Sequence, residues 1–200
     1  MEQVTFKDRV LYLSDGTEFK TVSWKGKVPA LKLPNGEILT ELPIIIQYIA
    51  DQVRFFFPYF FLKCSLNGYC SVLLQVPELA IVPKSGSMAR YRLLELLNFL
   101  NSDMHQSFRP LFFDWHEESK EMAKNALQKG FARVSSLLQY HEFLLGKSFG
   151  PADAYAYNLL RWSKTLKLGL LEEHESLSKF FEKVENLPVV QNVLTQEGLI

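Results

Sequence analysis

Hydrophobic and polar positions follow different periods in the two halves of the chain, and the change falls between Pro83 and Met88. Before it, short apolar segments alternate with turns that contain glycine or proline, which is typical of strands joined by tight turns. After it, apolar residues recur three and four positions apart over long stretches, which indicates amphipathic helices. The pattern predicts an α/β domain over 1–84, followed by an all-helical domain over 85–200.

The α/β half is predicted to contain one strand over 4–13 and, after a turn at Asp15-Gly16, an antiparallel hairpin. Apolar segments at 28–33 and 37–40 form the two strands of this hairpin. They flank Pro34-Asn35-Gly36, in which the Asn-Gly pair readily supplies the positive φ angles of a tight turn.

A helix is predicted directly after the hairpin and ends near Asp51. Thr40 is placed to cap this helix, and Pro43 is tolerated in its first turn. Its buried face is predicted from apolar residues at helical spacing, which are Leu42, Ile45, Ile46 and Ile49.

Five helices are predicted in the second half, over 88–113, 117–140, from Pro151 onward, 176–184 and 188–194. The core stripe of the first consists of Leu93, Leu96, Leu97, Leu100 and Met104, and an adjacent face carries Asn98, Asn101 and His105. The buried side of the second consists of Ala123, Ala126, Leu127, Phe131 and Val134. In the third, Asp153 is expected to cap the exposed amides, and Tyr155 and Trp162 are expected in the core.

Composition excludes several classes of function. Lys and Arg number 22, as do Asp and Glu, so the chain has no net charge and binding to nucleic acid driven by overall charge is not expected. Its two cysteines are too few for a disulfide framework, and no metal site is expected because His116, His141 and His174 have no partners at ligand spacing. The longest apolar run is too short to cross a bilayer, and a cytoplasmic location is the default.

Several sequence blocks resemble the glutathione S-transferase family, in particular its mainly bacterial beta class. These blocks are Gly26–Leu31, Asn35–Glu41, Tyr48–Asp51, Arg90–Phe99 and Leu144–Tyr155. The resemblance implies a thioredoxin-like N-terminal domain, an all-helical C-terminal domain and a homodimer. It also implies detoxification by conjugation, in which glutathione is the cosubstrate and its thiolate attacks an electrophilic, apolar substrate.

The sequence departs from this family in two places. Family members begin with a strand, a turn bearing the catalytic Ser, Tyr or Cys, and a helix, and these elements do not precede the strand predicted over 4–13. The first domain is therefore expected to be truncated, and neither Cys64 nor Cys70 matches the catalytic cysteine of the beta class. An insert over 53–75 also separates blocks that are adjacent in relatives. This insert is interpreted as a translated in-frame intron or as a genuine loop, and the transcript distinguishes the two.

The resemblance implies a set of glutathione-binding residues. Val28 and Pro29 match a cis peptide whose preceding backbone pairs with the cysteinyl part of glutathione, although the residues alone also fit a trans proline at a strand edge. Glu41 would face the γ-glutamyl amine, and the amide of Leu42 would bind the γ-glutamyl carboxylate. Glu41 is equally compatible with simple stabilisation of the helix dipole.

Asn98 and His105 match polar positions that approach the glutathione sulfur in beta-class relatives, one of them across the dimer interface. A polar atom near a thiol can favour the thiolate, so His105 is the catalytic candidate, with a structural histidine as the alternative.

Whether the chain is an active enzyme is left open by the missing N-terminal elements. The alternatives to a working transferase are a non-catalytic glutathione-transferase-like module for binding and dimerisation, and an ordinary transferase whose gene boundaries have been wrongly assigned.

Overall fold

A computed structural model describes residues 4–8, 10–55, 82–113 and 115–200 of the 200-residue chain. The chain divides into two compact units, Met1–Glu78 and Leu79–Ile200. The predicted insert over 53–75 lies outside the described residues from position 56 onward. The predicted domain boundary between residues 84 and 85 stays a prediction.

The first unit opens with a two-stranded antiparallel sheet, β1 (Val4–Lys7) and β2 (Val10–Leu13), in which Lys7 pairs with Val10. The prediction of a single strand over 4–13 is therefore wrong. Asp8 has a φ of 49°, and aspartate tolerates this left-handed conformation, so the chain can reverse between Lys7 and Val10. The predicted turn at Asp15-Gly16 is confirmed, since the Gly16 amide donates to the Leu13 carbonyl.

The second hairpin is confirmed. It consists of β3 (Ala30–Lys32) and β4 (Ile38–Thr40), with Ala30 opposite Thr40. Gly36 in the connecting turn has a φ of 90°, which a glycine adopts without steric cost.

Helix α1 (Leu42–Phe55) follows after a single residue, Glu41. Thr40 is not its N-cap residue, because Glu41 lies between Thr40 and Leu42, and the Glu41 carbonyl accepts the first helical hydrogen bonds from the amides of Ile44 and Ile45. The helix runs beyond the predicted end at Asp51. Its predicted buried face is confirmed, since Leu42, Ile45, Ile46 and Ile49 are at most 3% exposed.

The second unit is helical throughout its described elements. These are α2 (Met88–Phe99), a π-helical segment (Leu100–His105), α3 (Arg109–Phe112), α4 (Glu117–Leu138), α5 (Pro151–Thr165), α6 (Glu175–Glu185) and α7 (Pro188–Gln196). The predicted helix over 88–113 is thus interrupted, because the backbone passes into π geometry at Leu100. Helix α5 packs against α2, the π-helical segment and α6.

The predicted core stripes of the helical unit are confirmed with one exception. Leu93, Leu96, Leu97, Leu100 and Met104 are buried, as are Ala123, Leu127, Phe131 and Val134. Ala126 is exposed, so the prediction that it is buried is wrong. The helix instead presents Gly130 to the core, where an added Cβ would lie 2.8 Å from Met104 Cγ. The absence of a side chain at this position lets α4 approach the π-helical segment.

Asp153 caps the start of α5 as predicted. Its carboxylate accepts hydrogen bonds from the amides of Leu144 (2.8 Å) and Gly150 (2.9 Å), and the residue is 2% exposed. Among the described residues, no helix is both long enough and apolar enough to span a membrane.

Candidate functional site

The first candidate cluster lies at one end of the β3–β4 hairpin in the first unit. The Val28–Pro29 peptide bond is cis, as the family resemblance implies. Pro29 directly precedes β3 and Glu41 directly follows β4, and Ala30 pairs with Thr40 between them. The antiparallel register therefore places the cis peptide and Glu41 at the same end of the hairpin.

Glu41 combines an unusual backbone with a charged partner. Its φ of 72° lies in the left-handed region, which is uncommon for a residue that has a side chain. This conformation turns the chain from β4 into α1 in one residue. The Glu41 carboxylate forms an ion pair with the Lys25 ammonium, and both side chains are partly exposed. The carboxylate of this cluster thus already accepts a primary ammonium group.

Leu42 supplies the first amide of α1. Helix geometry provides no intrahelical acceptor for the earliest amides, and the dipole of the helix favours an anion beside them. The Leu42 side chain is buried, so the residue offers its backbone rather than its side chain. An acceptor for an ammonium group and a donor for a carboxylate therefore occupy adjacent residues.

The second candidate cluster surrounds His105, the last residue of the π-helical segment. His105 Nδ1 lies 2.7 Å from the Tyr155 hydroxyl oxygen, and this hydroxyl donates to Asn101 Oδ1 over 3.0 Å. The ring of Trp162 meets the imidazole edge-on, with 4.8 Å between centroids. Because α5 carries both Tyr155 and Trp162, packing of α5 on the π-helical segment fixes the position of the imidazole.

Burial controls the protonation of this cluster. Desolvation lowers the pKa of His105 from its ordinary value of 6.5 to about 4, so the imidazole is neutral at pH 7. Desolvation also raises the pKa of the Tyr155 hydroxyl, which keeps its proton. A neutral histidine cannot stabilise a thiolate by its charge, so any catalytic contribution of His105 depends on hydrogen bonding or proton transfer.

An aromatic surface adjoins His105. Phe112 is 46% exposed and packs edge-on against Trp162, with 5.1 Å between ring centroids. The neighbouring Phe113 and Trp115 are also exposed, at 45% and 43%. Of these rings, Phe112 is connected to the imidazole through Trp162, so it offers an exposed apolar surface near a neutral imidazole.

Only part of the predicted polar face of the first helix takes part in the hydrogen-bonded cluster. Asn101 and His105 both form hydrogen bonds with Tyr155. Asn98 is exposed, and its backbone carbonyl accepts a hydrogen bond from the Ser102 hydroxyl. The structure thus does not bring Asn98 into the hydrogen-bonded cluster. Trp162, expected in the core, is half-buried.

Two participants were missed by sequence reasoning. Tyr155 is fully buried, as predicted for a core residue, but the pattern of apolar positions gives no sign of its hydroxyl role. Lys25 carries no signal beyond its position just before the Gly26–Leu31 block. Within the described residues, no three His, Cys, Asp or Glu side chains come together as a metal site would require.

The cis-proline hairpin with its following helix, and the all-helical unit, define a thioredoxin-like domain joined to a helical domain. Comparison with known proteins agrees with this class. The family model for the C-terminal domain of glutathione S-transferase matches residues 89–188. Glutathione S-transferase GstA of Escherichia coli O157:H7 is 33% identical over 188 residues, which cover 94% of this chain and 82% of GstA.

Solved structures give the same result. A ternary complex of BphK, a bacterial glutathione S-transferase, superposes with a TM-score of 0.81 at 31% identity and covers 98% of this chain and 86% of that one. A sphingomonad glutathione S-transferase complexed with glutathione has a TM-score of 0.77 at 32% identity, and the match covers 98% of this chain and 87% of that one. The chain therefore belongs to the glutathione S-transferase family and is similar to its bacterial beta-class members.

Proposed function

We propose that this chain binds glutathione and conjugates it to electrophilic, apolar substrates. The observation that carries the proposal is the cis Val28–Pro29 peptide at the same end of the hairpin as Glu41 and Leu42. In the proposed complex, the backbone before Pro29 pairs with the cysteinyl part of glutathione. The γ-glutamyl amine binds Glu41, and the γ-glutamyl carboxylate binds the Leu42 amide.

The Lys25–Glu41 ion pair supports this assignment. An ammonium group already rests on the carboxylate that the γ-glutamyl amine would use, so the geometry at Glu41 suits such a ligand. Because the sulfur nucleophile comes from the cosubstrate, the reaction does not require a cysteine of the protein. In the reaction, the C–S bond forms as the leaving group departs with its electron pair, and the thiol proton passes to a base.

His105 is the proposed base. It is neutral at pH 7, and the exposed ring of Phe112, which packs on Trp162 next to the imidazole, suits a planar apolar electrophile. We also propose that Asn98, which lies outside the hydrogen-bonded cluster around His105, contacts the glutathione sulfur. We further propose that the protein acts in cytoplasmic detoxification as a homodimer.

Steady-state turnover of glutathione with 1-chloro-2,4-dinitrobenzene tests the proposal. We expect turnover above the rate in buffer, and we expect Glu41→Gln to raise the KM for glutathione about tenfold, because removing the charged partner of an ammonium weakens binding. Glu37→Gln is the matched control, since Glu37 lies at the opposite end of the same hairpin. A protein that dimerises but shows no turnover would instead favour the non-catalytic binding module.

A further inference from the structure

Asn101, Tyr155 and His105 form a chain of hydrogen bonds whose direction can be worked out from their chemistry. Asn101 Oδ1 is a carbonyl oxygen and can only accept. The Tyr155 hydroxyl therefore donates to it, over 3.0 Å.

A phenol has one proton, and in Tyr155 that proton is directed to Asn101. The 2.7 Å contact between the Tyr155 oxygen and His105 Nδ1 must then use a proton on Nδ1. A neutral imidazole carries one N–H, so Nε2 is left as the hydrogen-bond acceptor. The low pKa of His105 is consistent with this neutral state.

We propose that Tyr155 is a positioning residue that holds His105 as the Nδ1–H tautomer, with Asn101 fixing the direction of the Tyr155 hydroxyl. In this tautomer Nε2 can accept the S–H of glutathione and take its proton while the C–S bond forms. The leaving group departs with its electron pair, and Nε2 later releases the proton to water. This role rests on the proposed function, whereas the tautomer itself does not.

Asn101 and His105 are four positions apart and face the same side of their π-helical segment, so both can reach one hydroxyl. Asn101 and His105 both lie within Leu100–His105, and α5 brings Tyr155 between them from 50 or more positions away. Such segments are frequent at functional sites. Since Tyr155 is fully buried, few water molecules can compete for its hydroxyl.

Nitrogen NMR of the full-length, ¹⁵N-labelled protein at pH 7 tests the assignment. The signals of His105 among the four histidines are identified by their loss in His105→Gln. We expect Nδ1 in the protonated range and Nε2 in the unprotonated range. Protonated Nε2 in the wild type would overturn the proposal.

Two variants test the parts of the chain separately. Tyr155→Phe removes the acceptor of Nδ1–H, so both tautomers should be populated. Asn101→Leu lets the Tyr155 hydroxyl donate to Nδ1 instead, so the tautomer should switch to Nε2–H. If Tyr155→Phe does not fold, Asn101→Leu still decides the question, and an unchanged tautomer in it would overturn the proposal.

Tyr157→Phe is the matched control. Tyr157 lies on the same helix and is also buried, but its hydroxyl bonds to Glu185 and Arg161. We expect no change in the His105 signals in this variant. Turnover gives a second readout, in which Asn101→Leu should lower kcat about tenfold or more with little change in KM for glutathione.

The two proposals fail in distinguishable ways. Absence of turnover in the wild type with Nδ1 protonated would count against the proposed function and leave the tautomer assignment standing. Full activity in Asn101→Leu together with a switched tautomer would overturn the positioning role.

Discussion

The rings of Tyr155 and Trp162 pack edge-on against the imidazole of His105, and burial is what sets its pKa. The pKa of His105 falls from 6.5 to about 4 on folding. At pH values between these two, His105 is therefore protonated in the unfolded chain and neutral in the folded chain. This residue therefore reduces stability as the pH falls from 6.5 toward 4. The contribution is fully favourable only above pH 6.5.

The quantity to measure is the difference in the free energy of unfolding between the wild type and His105→Gln. This difference should fall by about 2 kcal/mol between pH 7 and pH 5, because each pH unit below 6.5 costs the wild type about 1.4 kcal/mol. Urea titrations at the two pH values measure this difference. Comparing two variants cancels groups common to both, including Asp153, whose pKa burial raises to about 7. The control His141→Gln replaces an exposed histidine, and a similar pH effect in it would contradict the assignment to His105.

Lys25 competes for the carboxylate that the glutathione amine is proposed to use. Exposed ion pairs contribute about 1 kcal/mol or less, so Lys25→Met should lower the KM for glutathione by about threefold and leave kcat unchanged. Lys32→Met, which replaces an exposed lysine on β3, is the control. A higher KM in Lys25→Met would show instead that Lys25 orients Glu41 for the substrate.

At the scale of the elements, the start of α5 depends on one carboxylate. Asp153 accepts two backbone amides in a buried setting, and an asparagine can supply only one acceptor oxygen. We expect Asp153→Asn to lower the free energy of unfolding by about 2 kcal/mol, measured in urea at pH 7.5. Asp103→Asn, an exposed carboxylate on the π-helical segment, should change it by less than about 0.5 kcal/mol. Equal losses in the two variants would contradict this capping role.

Local pattern was sufficient for the elements that depend on local chemistry. The Asn-Gly turn and the apolar face of α1 followed from residues near in sequence. The prediction of one strand over 4–13 is wrong because Asp8 reverses the chain, and an Asp-Arg pair is a weaker turn signal than Asn-Gly. Ala126 was predicted to be buried because it lies next to Leu127, which is buried. Alanine is small enough to fit either environment, and here it is exposed.

The candidate site was predictable only where the backbone defines it. The cis Val28–Pro29 peptide was expected from the residues around it and the family resemblance. The bonds of Tyr155 to Asn101 and His105 were not foreseen, because they join residues at least 50 positions apart through the packing of α5. The spacing of three and four residues predicted that Asn98 shares a face with Asn101 and His105. That spacing assumes a regular α-helix, whereas the helix becomes π-helical at Leu100.

At the scale of the whole molecule, the homodimer is the first prediction to test. Exposed apolar residues on the first turn of α2, Met88 at 69% and Tyr91 at 56%, support an interface on the helical unit. We expect sedimentation equilibrium at micromolar concentration to give twice the 23.1 kDa chain mass. Tyr91→Glu should shift the protein toward monomer, whereas Tyr140→Glu, at a tyrosine 82% exposed elsewhere, should not. A monomer for the wild type would contradict the prediction.

Glutathione binding at the hairpin end is the central claim, and titration of the ¹⁵N-labelled full chain with reduced glutathione tests it most directly. We expect the amide resonances of Val28, Ala30, Glu41 and Leu42 to shift together and saturably, while those of α7 stay in place. The shifts should require higher glutathione concentrations in Glu41→Gln and not in Glu37→Gln. Saturable shifts confined to other residues, or no shifts at millimolar glutathione, would contradict the account.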